Sequence, residues 1–398
     1  MTSLKRLTWF SWASVALMIS IGLTYFISAE NGRDFAGLVL GRDFLNLYTA
    51  GGLLAEDKVG VLFSQNAYME VITERYGDDY SAHNWSYPPT VFWVAIVVAK
   101  LPYMLALLGW YIVGVALIAV AVRALELDGK WVLFIVLSPA GLLNIIAGQN
   151  GFITASLLCF AFCYSQRSVV RSGVSWALLT FKPHLGIVAI PMLIVRHEWR
   201  LIGCGAIAFG LLVFATVLVW GTEPWNMFFS ITAEQQRLVL ENWRGAINLL
   251  VPTGFMQGRM FNFGTGDAYL LHAAYALVAV LLSIRALPLR DVCVRSWLTW
   301  FTLTTFSVLP YYFLYDLVVF HIMLAMYVRD PEKLFGLSPK ASELAWAFMW
   351  LMPVIGTVIA LVLSVHLFPL LLLCMLWQQR LLRHQERQLA LDPLAETN

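Results

Sequence analysis

The sequence predicts an all-α polytopic membrane protein, a bundle of about twelve transmembrane helices with amphipathic helices in its first outer loop. Three observations predict it. Hydrophobic residues make up 60% of the 398-residue chain and charged residues only 13%, where a soluble domain carries about 25% charged residues. The apolar runs recur along the whole length, so the membrane part is not one appended anchor. Most runs approach the roughly 20 residues, lower limit near 17, that a helix needs to cross the hydrocarbon core. A net charge of +2 carries no argument about nucleic acid; none is expected among the partners, which begin with membrane lipids.

By length, spans fall near 8–28, 88–101, 103–122, 131–147, 150–166, 174–195, 201–220, 268–285, 297–310, 311–328, 343–363 and 366–380. Lys5 and Arg6 before an apolar stretch, with "ISA" at 27–29, resemble a signal peptide. The stretch from about Leu7 to Ile27 exceeds the roughly 7–15 residues of a secretory apolar region, so an uncleaved anchor is expected. The run 89–122 is interrupted only by Lys100 and Pro102, and a break is placed there.

Twelve spans put both termini on one side. Basic residues gather on that side at Lys5, Arg6, Lys100, Arg196, Arg200, Arg285, Arg290, Arg295, Arg329, Lys333, Lys340, Arg380, Arg383 and Arg387. Such a bias marks the cytoplasm, although the opposite loops 123–130 and 167–173 carry two basic residues each. Residues 1–380 then form one transmembrane catalytic domain in a bacterial inner (plasma) membrane, and 381–398 a loosely ordered cytoplasmic tail. Two long segments, 29–87 and 221–267, lie outside. In the first, Phe44, Leu45, Leu47 and Tyr48 cluster. After Ser64, a plausible N-cap, Ala67, Tyr68, Val71, Ile72 and Tyr76 share one helical face. Residues 226–250 have a similar pattern, with Phe228, Phe229, Leu238, Leu240, Trp243 and Leu249 among charged neighbours. Helices of this kind rest on a bilayer surface or roof a cavity.

The unusual polar groups gather at the outer ends of spans, where ionisable residues mark a cavity or a partner. "GRDF" occurs twice, at 32–35 and 41–44, bringing Asp34, Arg42 and Asp43 just beyond the first span. Tyr87 lies in "WSYPP", Lys182 and His184 in "FKPHLG", and Tyr311, Tyr312, Tyr315 and Asp316 in "PYYFLYD". Arg237, Arg244 and Arg259 lie in the second outer loop. Each has a structural alternative. Asp43 pairs with Arg42 or caps a surface helix, Lys182 snorkels to the interface, the prolines stop and start helices, and Asp316 answers a helix dipole. Gln149 and Asn150, in "GQNG", fall on the cytoplasmic side and read as a tight turn. Cys159 and Cys163, four residues apart, have no His or carboxylate at ligand spacing and read as core residues. No P-loop, GxSxG, HExxH or GxGxxG occurs, and no 20-to-50-residue repeat is visible.

The motif order carries a resemblance. "RDFLNLYTAG" is followed by "LFSQNAYMEVI", "YPPTVFWVAIVVAKLPYMLALLGW", "SPAGLLNIIAGQNGFITASLL" and "FKPHLGIVAIPMLIVRHEWR". Over roughly residues 1–330 the chain resembles glycosyltransferase family 87, the polyprenyl-phosphate-mannose-dependent enzymes and their relatives in the GT-C superfamily. That resemblance implies a hexosyltransferase taking a sugar from a polyprenyl-phosphate donor to a lipid or glycan hydroxyl on the outer face, with inversion. It implies an acidic base in the first outer loop, which maps onto Asp43, with Asp34 next in line. Where relatives carry a His pair after a late "SP" motif, this chain has Tyr315 and Asp316, so mannose does not carry over directly.

The leaving phosphate needs cations, for which Arg42, Lys182, His184 and one of Arg237, Arg244 or Arg259 are candidates; Trp85, Tyr87, Tyr311 and Tyr312 are candidates to stack on sugar rings. No cofactor or metal is required by any residue pattern. The competing classes are a polytopic transporter, against which the absence of an internal twofold repeat argues, and a non-catalytic assembly subunit.

Overall fold

The first apolar run forms one helix, Ser3–Ile27, that buries Leu7, Val15, Met18 and Tyr25 against the rest of the molecule. In this computed structural model, which describes residues 3–80, 83–242, 245, 247–289 and 293–391, with backbone alone from 386 onward, the described residues form helices and no named strand. Two isolated bridges, Glu30 to Arg33 and Arg33 to Val39, fold the loop after the first helix. Five helices are long and apolar enough to cross a membrane: Ser3–Ile27, Tyr103–Ala124, Trp199–Trp220, Thr265–Ala286 and Pro339–Leu363. A bent pair, Lys130–Val136 and Pro139–Ala147, makes a sixth if counted as one span. The Trp199–Trp220 helix buries only Leu201 and Thr216 and presents Ile207, Leu211, Phe214 and Leu218 outward. A helix apolar all round with an uncovered face belongs in lipid.

Several expected spans are instead broken, each at a residue that explains it. The segment 131–147 bends by 60° where Ser138 caps Pro139–Ala147, its side chain accepting from Gly141 N–H. The segment 174–195 is not one helix. It becomes Val169–Leu179, a 3₁₀ turn Pro183–Gly186 and Ala189–Val195. Pro183 disfavours a helical conformation at the residue before it, and Lys182 has φ −123° and ψ 72°. The segment 88–101 does not cross either. A 3₁₀ turn, Pro89–Val91, leads into the eight-residue helix Phe92–Ala99, which lies against Phe44–Ala55. A Cβ on Gly51 would sit 2.0 Å from the Ala95 carbonyl oxygen, so only glycine permits that approach. The segment expected as a loose tail from 381 is helical to Leu391, continuing Phe368–Leu391.

Contacts sort the connections to two ends of the bundle. At the end holding the N-terminus, Arg6 Nε donates to Glu343 Oε2 (2.6 Å), Arg295 Nη1 to Asp330 Oδ2 (3.2 Å), and Gln166 to Glu198 (3.5 Å). At the other end Tyr103 donates to the Leu40 carbonyl (2.8 Å), Tyr48 to that of Leu101 (2.9 Å), and Gln257 to that of Ser364 (3.0 Å). Pro102 therefore sits at the second end, with both ends of 89–101 beside it.

The segment 29–87 folds as Phe44–Ala55, Val59–Phe63 and Gln65–Tyr76, matching the apolar faces in the sequence. Tyr68 and Ile72 are fully buried; Ser64 occupies the N-cap position without a side-chain cap bond. The loop leading into these helices is held by the repeated Arg-Asp. Arg33 donates to the carbonyls of Gly37 (2.8 Å) and Tyr76 (2.7 Å). Asp34 accepts from Arg42 Nε (2.7 Å), Tyr25 (3.1 Å), and the backbone N–H groups of Ala36 (2.9 Å) and Leu38 (3.2 Å). Burial pushes the Asp34 carboxyl up, but the Arg42 and Ala36 hydrogen bonds and the Arg42 charge outweigh it and hold the group below its ordinary value.

An Arg42→Ala variant should therefore be less stable at pH 7. Breaking a fully buried pair costs about 3–5 kcal/mol. The Arg42 side chain is 32% exposed while that of Asp34 is sealed, so about 1–3 kcal/mol is expected. The folded carboxyl titrates below its unfolded value near 3.9, so the stabilisation is present above that value and lost as pH falls through the lower, folded one. Detergent-solubilised unfolding should show a wild-type advantage at pH 7 that closes only in that acidic window.

Candidate active site

Asp43 is placed by the turn that precedes it. Gly41 has φ +72°, a left-handed backbone that glycine adopts freely, and it turns the chain into Phe44–Ala55. Asp43 stands at that helix's N-cap but makes no side-chain cap bond. Its backbone N–H donates instead to the Ala147 carbonyl (2.8 Å), and its Oδ2 accepts from Gln149 Nε2 (2.8 Å). The "GQNG" turn, read from the sequence as lying at the opposite end from Asp43, therefore sits directly on it. Gly148 makes this possible. It ends Pro139–Ala147 in the left-handed region, φ +66°, and a Cβ there would meet Gly41 Cα and O and Phe44 Cβ, each at 2.8 Å. Trp110 Nε1 donates to the Gln149 carbonyl (3.1 Å) and holds the turn.

From Gln149 the contacts continue into the other predicted groups. Asn150 Nδ2 donates to the Tyr87 hydroxyl (2.9 Å). The Tyr87 phenol is pushed up by burial first and by the charges of Asp43 and then Asp316, so both carboxylates act on one side chain. The Tyr87 ring lies 6.4 Å from that of Phe181, beside Lys182. Lys182 Nζ binds Asp316 Oδ1 at 2.6 Å with both side chains nearly sealed, and lies 5.1 Å from the Tyr315 ring centre. Asp316 Oδ2 accepts from the Phe313 N–H (3.0 Å). The circle closes at Gly151, where a Cβ would stand 2.4 Å from the Tyr315 carbonyl oxygen. His184 packs its ring 6.1 Å from that of Tyr311 at the same end.

Other expectations need correction. Asp34 has its oxygens occupied and Arg42 is spent on it, so neither is a spare base or a free cation for a donor phosphate. Arg237 pairs with Glu234 and Glu241 on an exposed helix. Arg259 donates to the Phe263 (2.8 Å) and Glu241 (3.3 Å) carbonyls and ties its loop together. Arg244 lies outside the described residues, as do Trp243, Arg290 and the side chain of Arg387. Trp85 and Tyr312 are fully buried and pack rather than offer a stacking face; the Tyr312 hydroxyl donates to the Pro252 carbonyl (2.7 Å).

The sequence reading missed His83. Its imidazole is lowered by burial, while the charge of Asp43 and the Arg42 backbone oppose the shift. A single histidine in a polar loop gave no signal, because its nearness to Asp43 depends on how 29–87 folds back.

A family model for glycosyltransferase family 87 matches residues 85–310, a stretch that includes Tyr87, Gln149, Asn150, Lys182 and His184. Asp43 and Asp316 lie outside the matched stretch, and folding brings them to it. No curated protein and no solved structure matches the chain. The match spans more than half of the chain and takes in the two segments, around 149 and 182, that meet the candidate carboxylates; the protein belongs to glycosyltransferase family 87.

Proposed function

We propose that this glycosyltransferase, of GT-C type, moves a hexose from a polyprenyl-phosphate donor to a lipid or glycan hydroxyl, with Asp43 as general base. The observation that carries the reading is the state of Asp43. Its neighbour Arg42 is committed to Asp34, no cation pairs with Asp43 among the described residues, and a neutral amide donor orients it. A carboxylate so held has one oxygen oriented by Gln149 and is not neutralised by a paired cation.

Asp43 takes the proton of the acceptor hydroxyl as that oxygen bonds to the anomeric carbon. The bond from the anomeric carbon to the phosphate oxygen breaks, and polyprenyl phosphate leaves with the electron pair. A single displacement with one base inverts the centre. The charge gathering on the phosphate calls for a fixed cation. Lys182 fits that role, because Asp316 takes one of its ammonium protons and others remain to donate. Tyr315 and Asp316, the latter held by Lys182, stand where relatives carry the His pair, which favours a donor sugar other than mannose.

The sidedness follows the same reading. With 125–129 and 165–168 at the N-terminal end, Arg123, Lys130, Arg167 and Arg171 join the other basic residues there. The short connections 148–150, 309–313 and 364–367 at the Asp43 end carry no Lys or Arg. By the positive-inside rule both termini are cytoplasmic and the site faces outward. About twelve passes remain, because the loss of 88–101 as a span is balanced by the split of 169–195 into two short ones.

Transfer of radiolabelled sugar from polyprenyl-phosphate hexoses by the purified protein tests the reaction. Asp43→Asn should lose about 10²–10⁴-fold of the rate, the range for general-base help, while eluting and melting like wild type. Full activity in that variant would sink the assignment. Lys182→Ala should lower kcat/KM for the lipid donor by about 10²-fold. The double variant Lys182→Met/Asp316→Leu separates the alternatives, since it removes both charges together. If Lys182 only neutralises Asp316, transfer returns; if Lys182 meets the phosphate, it stays low.

A further inference from the structure

In the segment leading to Tyr87, and on the Asn150 that Tyr87 meets, four buried polar atoms have no partner: His83 Nδ1, Asn84 Nδ2, Trp85 Nε1 and Asn150 Oδ1. Leaving such an atom unpaired costs about 1–3 kcal/mol, and three of these are on consecutive residues. A cluster of this kind calls for a ligand.

The geometry defines which ligand. The His83 ring stands edge-on to Tyr80 with centroids 5.1 Å apart, and its backbone N–H donates to Met69 Sδ (3.0 Å). The ring lies close to the Arg42 backbone, one peptide from Asp43. Its Nδ1 is buried without a partner, and in the tautomer protonated at Nε2 it presents a lone pair. Asn150 gives its Nδ2 to Tyr87 and keeps Oδ1 as an acceptor. Asn84 Nδ2 and Trp85 Nε1 are donors. Two acceptors and two donors, none charged, match a ligand bearing several hydroxyl groups, each able to give and to take. A phosphate would set acceptors against the two lone pairs, next to a carboxylate, and is refused. Trp85 contributes its N–H, because its ring is fully buried among others, those of Tyr87 and Phe92 at centroid distances of 5.3 and 6.1 Å.

We propose that residues 83–85 together with Asn150 form a hydroxyl-recognition subsite for a hexopyranose ring, separate from the phosphate contact at Lys182. The inference rests on the glycosyl-transfer reading, and it divides the site into an uncharged sugar wall and a cationic phosphate wall. The wall lies on the Asp43 side, so the ring it holds is kept within reach of the base.

Binding of methyl α-D-mannopyranoside, glucopyranoside and galactopyranoside to the full-length protein, in a detergent without sugar headgroups, can be read by saturation-transfer NMR and by the thermal shift each induces. Wild type should bind at least one of them. Trp85→Phe, which keeps the ring and removes only the N–H, and Asn84→Ala should each weaken that binding by about tenfold, the factor for a lost neutral hydrogen bond. Trp85→Phe should melt no lower than wild type without sugar, because the atom removed has no partner in the protein. His83→Gln should restore an acceptor and bind better than His83→Ala. Tyr48→Phe should bind as wild type.

Equal hexoside binding by wild type, Trp85→Phe and Asn84→Ala would overturn the subsite, as would a wild type that binds none of the three. Transfer by wild type with unchanged sugar binding in the variants removes the subsite alone. Sugar binding lost in the variants without any transfer by wild type removes the reaction and leaves the subsite.

Discussion

The ion pair between Arg42 and Asp34 is the contact on which the rest of the site depends. The two Arg-Asp dipeptides sit nine residues apart, and the second arginine answers the first aspartate rather than its own neighbour. That cross-pairing closes the loop 34–42, brings Gly41 under the "GQNG" turn, and leaves Asp43 without a paired cation among the described residues. Asp34 can hold the arginine because two backbone N–H groups and Tyr25 already surround its carboxylate; among the described residues, the Asp43 side chain accepts from one amide donor, Gln149. The two aspartates are chemically identical and differ in role solely through the donors around them.

A second theme is that the functional groups stand where helices fail. Lys182 occupies the residue before Pro183, which is driven off the helical conformation, and Gln149 follows a left-handed glycine. Asp316 lies in the 3₁₀ turn Leu314–Leu317 ahead of Val318–Met326. Each break occurs at the same end of the bundle. Within a bilayer, backbone freed from a helix must find partners in protein or water, and a cluster of breaks supplies them mutually. The close backbone approach at Gly151, with Tyr315 across from it, is one such contact.

The charge distribution becomes coherent on the same geometry. Read as a string, the chain scatters basic residues over both sides of its spans. Once 89–101 is not counted as a span and 169–195 divides, the connections 125–129 and 165–168 move to the side of the termini, and Lys100 moves to the side of Asp43. The remaining cations at the Asp43 end are mostly engaged, Arg42 with Asp34, Arg237 with its glutamates and Arg259 with backbone carbonyls. Among the described residues of that end, Lys182 alone is both nearly sealed and next to the tyrosines that feel Asp43.

Composition and periodicity were enough to establish an all-helical membrane protein, and motif order was enough to establish its family. The long outer segments and their amphipathic helices were also legible, since an apolar face repeats locally along a helix. Asp43, Tyr87, Lys182 and Asp316 stood out because polar residues in greasy surroundings are costly and therefore conspicuous. Only the tertiary structure decided that 88–101 does not cross, because its far end is held at the Asp43 end by Tyr48, on a different helix. It alone moved Gln149 and Asn150 to the Asp43 end, exchanged the partners of Arg42, and disclosed His83. Those outcomes depend on atoms far apart in the chain meeting within a few ångströms, and a one-dimensional pattern records what each residue prefers, not which distant residue will satisfy it.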